Sequence, residues 1–402
     1  MNEIKDEKQN RPDAFAKAAA FAAAFIFILC GVLLFALPDR EYSEAENRYL
    51  KGKPQVTFSN LFDGSYMDDV NEYLTDQFPF RDAWISLQSG MQQALGKKQI
   101  NGVYLAADNY LIAQYDSPQN TDRIKNTFQK FAKAVSEKRE DVSKYLMLVP
   151  SAITIYADKL PEYAGNASQV DTINEIYDYV SELESESASE DVATVDVYGY
   201  LMRSDIQSQT ADKQLFYKTD HHWTTIGAYY GYQALCERMG IVPLSIDEYD
   251  RQYVTYDFHG TYSARVNLPG EKGDAICLFN RKQEKLKVLY EDSGEITDSL
   301  YNLEYLEKKD KYSLFLNNLH PLVVVEIENN NTGKNLVLVK DSYANSLIPF
   351  LTAHFDIIYV FDPRYYKGSI SDFIMEHAEV TDVLVLYNMS TIDTDTGIRA
   401  IF

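Results

Sequence analysis

Hydrophobic positions along this 402-residue chain fall into three regimes. The first is one unbroken apolar run without a charge, "AAAFAAAFIFILCGVLLFALP", from Ala18 to Pro38. About 20 apolar residues in a helix span the hydrocarbon core of a bilayer. Lys5, Lys8, Arg11 and Lys17 precede the run, and only Arg40 and Arg48 lie close after it. The positive-inside bias then puts the N-terminus in the cytoplasm. A cleaved signal peptide would carry a shorter apolar region and a clear A-x-A site. A lipoprotein reading of Cys30 fails on Leu29, where a small residue is expected. The pattern therefore predicts a cytoplasmic tail at 1–17 and an uncleaved single-pass transmembrane anchor at 18–37. Everything after Pro38 would be extracytoplasmic.

The second regime, residues 38–120, is polar and aromatic, with "EAENRYLKGKPQVTF" and "YLTDQFPFRDAW". It reads as a lead-in arm of short helices packing on the main domain.

The third regime, 121–402, alternates between two periods. Ile124, Phe128, Phe131 and Val135 recur at helical spacing and predict an amphipathic helix over 121–138. "KYLMLVP" predicts a buried strand, 170–185 a helix and "VATVDVYGYL" a second strand. A helix then carries Ala228, Tyr232, Leu235 and Met239 on one face. Residues 245–332 break the alternation and read as an irregular insertion. Order returns with strands "NLVLVKD", "DIIYVFD" and "DVLVLYN", separated by helices at "YANSLIPFLTAHF" and 369–378. Strands alternating with helices predict an α/β fold, a parallel sheet flanked by helices on both faces. Such sheets bind ligands at the carboxyl ends of their strands.

Composition narrows the partners. The 60 acidic residues against 38 basic ones give a net charge of -22, which excludes a nucleic-acid backbone as the ligand. The 31 tyrosines suit amphipathic packing as well as sugar stacking. Three cysteines are few, Cys236 and Cys277 could form at most one disulfide, and no zinc spacing is present.

The candidate chemistry lies in two stretches. "VLVKDSYANS" runs from a buried strand into Asp341-Ser342 and a helix. A serine there is exposed at the sheet's carboxyl edge, and the first helical N–H groups can point at a developing oxyanion. The bland alternative is a helix-capping serine. Ser151 in "LVPSA" holds a similar position after a proline and ranks second. "KTDHHWTTIG" supplies Asp220, His221, His222 and Trp223. A metal site needs three or four convergent ligands, whereas adjacent histidines tend to point apart. The expectation is no metal and no cofactor. An acid–base pair needs only one histidine and a carboxylate that fixes its tautomer. Asp220 and His222, two apart in a tight turn, can supply both, with Ser342 as the nucleophile. His221 would face away and pack, and Trp223 and Tyr343 are candidates for site wall or substrate contact.

At these residues the chain resembles the DHHW proteins. They are similar to the SGNH-hydrolase-like polysaccharide O-acetyltransferases, including the alginate acetylation proteins AlgJ and AlgX. In that family an Asp-x-His-Trp motif precedes a distant serine on a strand-end turn, and Asp220, His222, Trp223 and Ser342 match it. "SEAENRYL", "DQFPFRDAW", "FHGTYSA" and "DPRYY" also look like family segments. "KDSY" departs at Lys340 from the usual G-D-S of SGNH enzymes. The resemblance implies an SGNH-like fold of permuted topology and acyl transfer to an extracytoplasmic glycan. It also implies a membrane-bound O-acyltransferase partner that delivers acetyl groups. The superfamily completes its oxyanion hole with a Gly and an Asn. Asn388, after the last strand, is the candidate here, and Arg364 is the candidate contact for an anionic glycan, with a structural ion pair as its rival.

The leading expectation is an anchored polysaccharide O-acetyltransferase. A carbohydrate acetylesterase of the same fold differs only in whether water or a sugar hydroxyl reaches the acyl-enzyme. A non-catalytic glycan-binding or assembly factor is the third expectation.

Overall fold

The computed structural model describes residues 11–43, 46, 48–183, 192–203, 205–206 and 213–401. Of the expected cytoplasmic tail, residues 1–10 lie outside the described residues. The apolar run forms one helix, α1 (Arg11–Ala36). Its stretch Ala14–Ala36 is long and apolar enough to cross a membrane. It begins before Ala18 because Ala14, Phe15 and Ala16 extend the apolar, helix-favouring composition.

The chain divides into two compact units, residues 1–95 with 267–269, and residues 96–266 with 270–402. In the first, three helices follow α1: α2 (Phe58–Asp63), α3 (Ser65–Asp76) and α4 (Arg81–Ala94). Thr57 and Asn60 form a reciprocal capping box that starts α2, and Gly64, at φ 84°, ends it in the left-handed region. Arg48 grips the buried Asp76 carboxylate at 2.5 and 2.9 Å, and Arg81 reaches Glu46 at 2.5 Å.

The second unit is built on an eight-stranded sheet. Its strands in chain order are β1 (Ser143–Val149), β2 (Val192–Thr194), β3 (Leu286–Tyr290), β4 (Glu295–Thr297), β5 (Leu322–Ile327), β6 (Asn335–Lys340), β7 (Ile357–Phe361) and β8 (Asp382–Asn388). Across the sheet they run β4-β3-β5-β7-β6-β8-β1-β2. The five strands from β7 to β2 are parallel, with Val337 of β6 opposite both Tyr359 and Val383. Every residue of β8 is buried, so both of its faces are covered, as parallel pairing requires. Helix Thr121–Ser136 packs on Gln169–Leu183 and Ile370–Glu376, and helix Thr225–Met239 packs on Val197–Leu201. Residues 96–120 fold within this unit, where Leu111 donates its N–H to the Lys218 carbonyl at 2.8 Å.

Three expectations change. The sheet is mixed, because the stretch 245–332 is not wholly irregular. Within it β3, β4 and β5 join the main sheet antiparallel, and a further antiparallel pair, Tyr249–Phe258 with Asp274–Arg281, stands apart. Short turns suffice for antiparallel neighbours, so no helical alternation announced them. The strand in "VATVDVYGYL" stops at Thr194, because Asp196 accepts the Gly199 N–H and starts helix Val197–Leu201. "YANSLIPFLTAHF" is a 3-10 turn, Ser342–Ser346, followed by the short helix Ile348–Leu351.

The chain leaves β6 toward β7 on one side and returns to β8 on the other. The crevice at the carboxyl end of β6 is thus a topological switch point, where ligands bind in open α/β sheets. Ser342 lies two residues past that end.

Candidate active site

Asp341 follows β6 in extended backbone, φ -98° and ψ -172°. Its carboxylate accepts the Tyr343 N–H at 2.9 Å and the Asn388 N–H at 2.8 Å, tying the turn to the end of β8. The cap is therefore Asp341, and the Ser342 hydroxyl is left for other work. Ser342 is half-buried, while its neighbours on both sides are buried.

His222 Nε2 lies 2.8 Å from Ser342 Oγ, and His222 Nδ1 lies 2.6 Å from Asp220 Oδ1. A carboxylate only accepts, so Asp220 holds the imidazole proton on Nδ1 and leaves Nε2 to accept from the serine. The second Asp220 oxygen takes the Thr261 N–H at 2.8 Å and the Thr261 hydroxyl at 2.6 Å. Gly260 stands so close that an added Cβ would lie inside the Asp220 side chain. The Tyr312 ring stacks on His222 at 3.7 Å and 8°. Its hydroxyl donates to the Ser342 carbonyl at 3.1 Å, so one side chain braces His222 and Ser342 together.

Burial opposes the charge on Asp220, but His221 and His222 more than offset it and hold its carboxyl well below the usual carboxylate range. Burial, then the neighbouring His221, pushes His222 down to about 4 against the pull of Asp220. His222 is thus a neutral imidazole at neutral pH. For His221 burial disfavours the cation, and the attraction of Asp220 overcomes it and raises the group. The two rings lie 3.8 Å apart, so a charge on His221 disfavours one on His222.

Asp220, His221 and His222 offer ligand atoms within 4.8 Å of one another. The 2.6 Å between Asp220 and His222 is the length of a bond through a shared proton. Two ligands on a tetrahedral zinc, each at about 2.0–2.1 Å, stand roughly 3.3 Å apart. As arranged, the donors fit a proton better than an ion.

Four further expected site residues border the site but have their polar groups engaged in structural contacts. Trp223 is fully buried and donates its indole N–H to the Tyr343 carbonyl at 2.9 Å, supporting the turn that carries Ser342 rather than forming a wall. Tyr343 is also fully buried, with its hydroxyl bonded to the His221 carbonyl. Neither side chain is exposed to touch a substrate. Asn388 gives its side-chain amide to the Val149 carbonyl at 3.0 Å and to Ser151 at 3.1 Å, so it is engaged away from any oxyanion. Arg364 forms the rival ion pair, with Nε and Nη2 at 2.8 and 2.6 Å from the buried Asp362. Lys340, the departure from G-D-S, is buried and reaches the same carboxylate at 3.3 Å. Ser151 bonds Asn388 and Ser390, and neither is a base. The amides of Tyr343 and Ala344 are both taken by Asp341, so they are not free oxyanion donors as the sequence suggested. Cys236 and Cys277 are free thiols. Thr261 and Tyr312 had no assigned role in the sequence. "FHGTYSA" held the signal for Thr261, and nothing local marks Tyr312 among 31 tyrosines.

The fold and this site define a class: an α/β protein with a Ser, His and Asp hydrogen-bonded in series at the switch point of its sheet. Residues 130–361 match the family described as DHHW protein, and the chain belongs to that family. A DHHW family protein from Eubacterium siraeum is 25% identical, with a TM-score of 0.62, over 75% of this chain and 95% of that one. Bacillus cereus PatB1, solved with a sulfonyl adduct, shares the fold at 19% identity and a TM-score of 0.58, over 74% of this chain and 97% of that one. A probable alginate O-acetylase AlgJ of Pseudomonas fluorescens is 21% identical over 174 residues, 42% of this chain. That match spans 41% of the AlgJ length.

Proposed function

We propose that this protein is a membrane-anchored, extracytoplasmic O-acetyltransferase acting on a polysaccharide through an acyl-serine intermediate. The single observation that carries the reading is the unbroken series Asp220–His222–Ser342, at 2.6 and 2.8 Å, ending on a half-buried hydroxyl at the sheet edge. Family membership and the likeness to an O-acetylase support the acetyl group and the glycan. The helix over Ala14–Ala36 supports the anchor, with its N-terminus cytoplasmic. The scaffold in this reading is SGNH-like with a permuted order, since Asp220 and His222 precede Ser342 in the chain.

In the first half-reaction Ser342 Oγ attacks the acetyl carbonyl of a donor ester while its proton passes to His222 Nε2. Collapse of the tetrahedral adduct breaks the bond to the leaving oxygen, which takes the proton from His222. In the second half a sugar hydroxyl gives its proton to His222 and attacks the acetyl carbonyl. Collapse then breaks the bond to Oγ, which recovers the proton. Asp220 stabilises the imidazolium in both halves. The oxyanion would meet the N–H of Ser342 itself, because Asp341 holds the two amides that follow. The acetyl donor is supplied by a membrane-bound O-acyltransferase partner in this reading.

The test is acetyl transfer from an activated ester to a soluble glycan, with mass spectrometry of the chain. Wild type should gain one acetyl on Ser342 and pass it on. Ser342→Ala should lose transfer, by about 10³-fold or more, as covalent paths do when the nucleophile goes. Its stability should fall by only about 1 kcal/mol, one hydrogen bond. A chelator should leave turnover unchanged. Water as the preferred acceptor would make the protein an esterase. Equal turnover in Ser342→Ala and wild type, neither above the protein-free reaction, would make it a non-catalytic glycan factor.

A further inference from the structure

The three helices that follow the apolar α1 each present an apolar stripe that is exposed among the described residues. On α2, Phe58, Leu61 and Phe62 are 86%, 54% and 86% exposed, at i, i+3 and i+4. Along α3 and just beyond it, Met67, Leu74 and Phe78 are exposed at i, i+7 and i+11. Through α4, Phe80, Trp84, Leu87, Met91 and Leu95 repeat at i, i+4, i+7, i+11 and i+15, and all are exposed. A soluble amphipathic helix buries such a stripe, and a chain of net charge -22 has ample polar residues to cover a surface. Sustained exposure on three consecutive helices calls for an occupant.

The position of these helices identifies it. Arg40 stands four residues past Ala36, the end of the candidate membrane span. Its guanidinium holds Asp82 of α4 at 2.8 and 3.1 Å, and its N–H donates to Gln77 at the end of α3 at 2.9 Å. Asp39 accepts from the Tyr73 hydroxyl of α3 at 2.9 Å. Four extended residues reach at most about 14 Å, while the headgroup layer on each side of a bilayer is about 5–8 Å deep. Helices tied this closely to the end of a membrane span sit at the interface. There aromatic rings and aliphatic stripes partition into the headgroup and upper acyl region.

We infer that α2, α3 and α4 form a lipid-binding collar on the outer leaflet, which embeds its aromatic and aliphatic stripes in the interface beside the anchor. The inference rests on the proposed anchoring of α1. The ligand is the phospholipid surface itself. A groove of about 610 Å³ between α3 and α4, lined by Leu74, Phe78, Trp84 and Ile85, could take the upper part of an acyl chain.

Trp84 reports on this directly, because the chain has two tryptophans and the other, Trp223, is fully buried. The full chain is reconstituted into vesicles of phosphatidylcholine and phosphatidylglycerol, with bromine on the acyl chains at shallow or deep positions. Flotation with the vesicles is scored first, and tryptophan emission second. The expected result is flotation, a blue-shifted Trp84 emission, stronger quenching by the shallow bromine, and little quenching by aqueous iodide. Trp84→Phe should remove the quenched component. Flotation with Trp84 open to iodide and untouched by bromine overturns the collar while leaving the anchor standing. Flotation with Trp84 shielded from both quenchers overturns the lipid assignment in favour of a protein covering. Failure to float overturns the anchor and, with it, the collar.

Discussion

At the residue scale, the two histidines of the motif divide one task in the proposed mechanism. His222 faces Ser342, while His221 faces Thr261, with Nδ1 2.6 Å from its hydroxyl, and leans on the other oxygen of the same aspartate at 3.5 Å. Because His221 takes up protons first, its charge opposes a second proton on His222. The expected acid limb of kcat/KM therefore lies below the ordinary histidine value of about 6.5, toward the value near 4 of the base. Protonation of His222 switches the base off as pH falls through its own pKa, so a higher pKa brings the loss at a higher pH. His221→Gln should move the limb upward and leave the plateau nearly intact. An acid limb that stays put would show that His221 only packs. This division could not be read from adjacency, since spacing alone allowed a metal pair, an acid–base histidine or a packing residue.

At the element scale, helix Thr225–Met239 carries the motif into the core. Thr224 caps it through the Gly227 N–H, and its helical glycines let Trp223 lie flat against it. A Cβ on Gly231 would stand 2.7 and 2.8 Å from the Trp223 ring. Ala is a better helix former than Gly by about 1 kcal/mol, yet overpacking a core of this kind costs about 1–3 kcal/mol. Gly231→Ala should therefore lower the thermal midpoint. It should also reduce turnover, because the displaced indole releases the Tyr343 carbonyl next to Ser342. Unfolding and turnover of the variant check both, and a stabilised, fully active Gly231→Ala would refute the account. The sequence places this helix, but burial spreads beyond the single expected face, with ten residues between Thr225 and Cys236 buried and Met239 only half-buried. It misses the helix at Val197–Leu201, where β-rich residues follow a capping aspartate and the cap prevails.

At the scale of the whole molecule, stability should respond to acid through His354. Burial, with Arg281 and Lys334 nearby, pushes that imidazole down to about 4, and the Tyr232 hydroxyl lies 2.6 Å from its Nε2. The folded value lies below the unfolded one, near 6.5. The unfolded chain therefore takes the proton first, and stability is lost as pH falls from about 6.5 to about 4. The thermal midpoint of His354→Gln should fall less steeply across that window than that of wild type. Parallel slopes would remove His354 from the balance.

What the sequence determined by itself is what depends on local order. The apolar run, the strands β1, β6, β7 and β8, and the helices at 121–136, 169–183 and 225–239 follow from periods of 2 and 3.6 and from runs of β-branched residues. The strand-to-turn position of Ser342 and the tight Asp220–His222 spacing are local too. Tertiary structure decided the rest. Residues 120 apart meet because β6 ends at the switch point where the sheet reverses its winding. Three strands from 286–327 pair antiparallel at one edge, and their pairing is set by partners distant in sequence. Tyr312 stacks on His222, Thr261 holds Asp220, and Asn388 turns toward Ser151 because packing, rather than any neighbour in the chain, fixes where a polar side chain finds its partner.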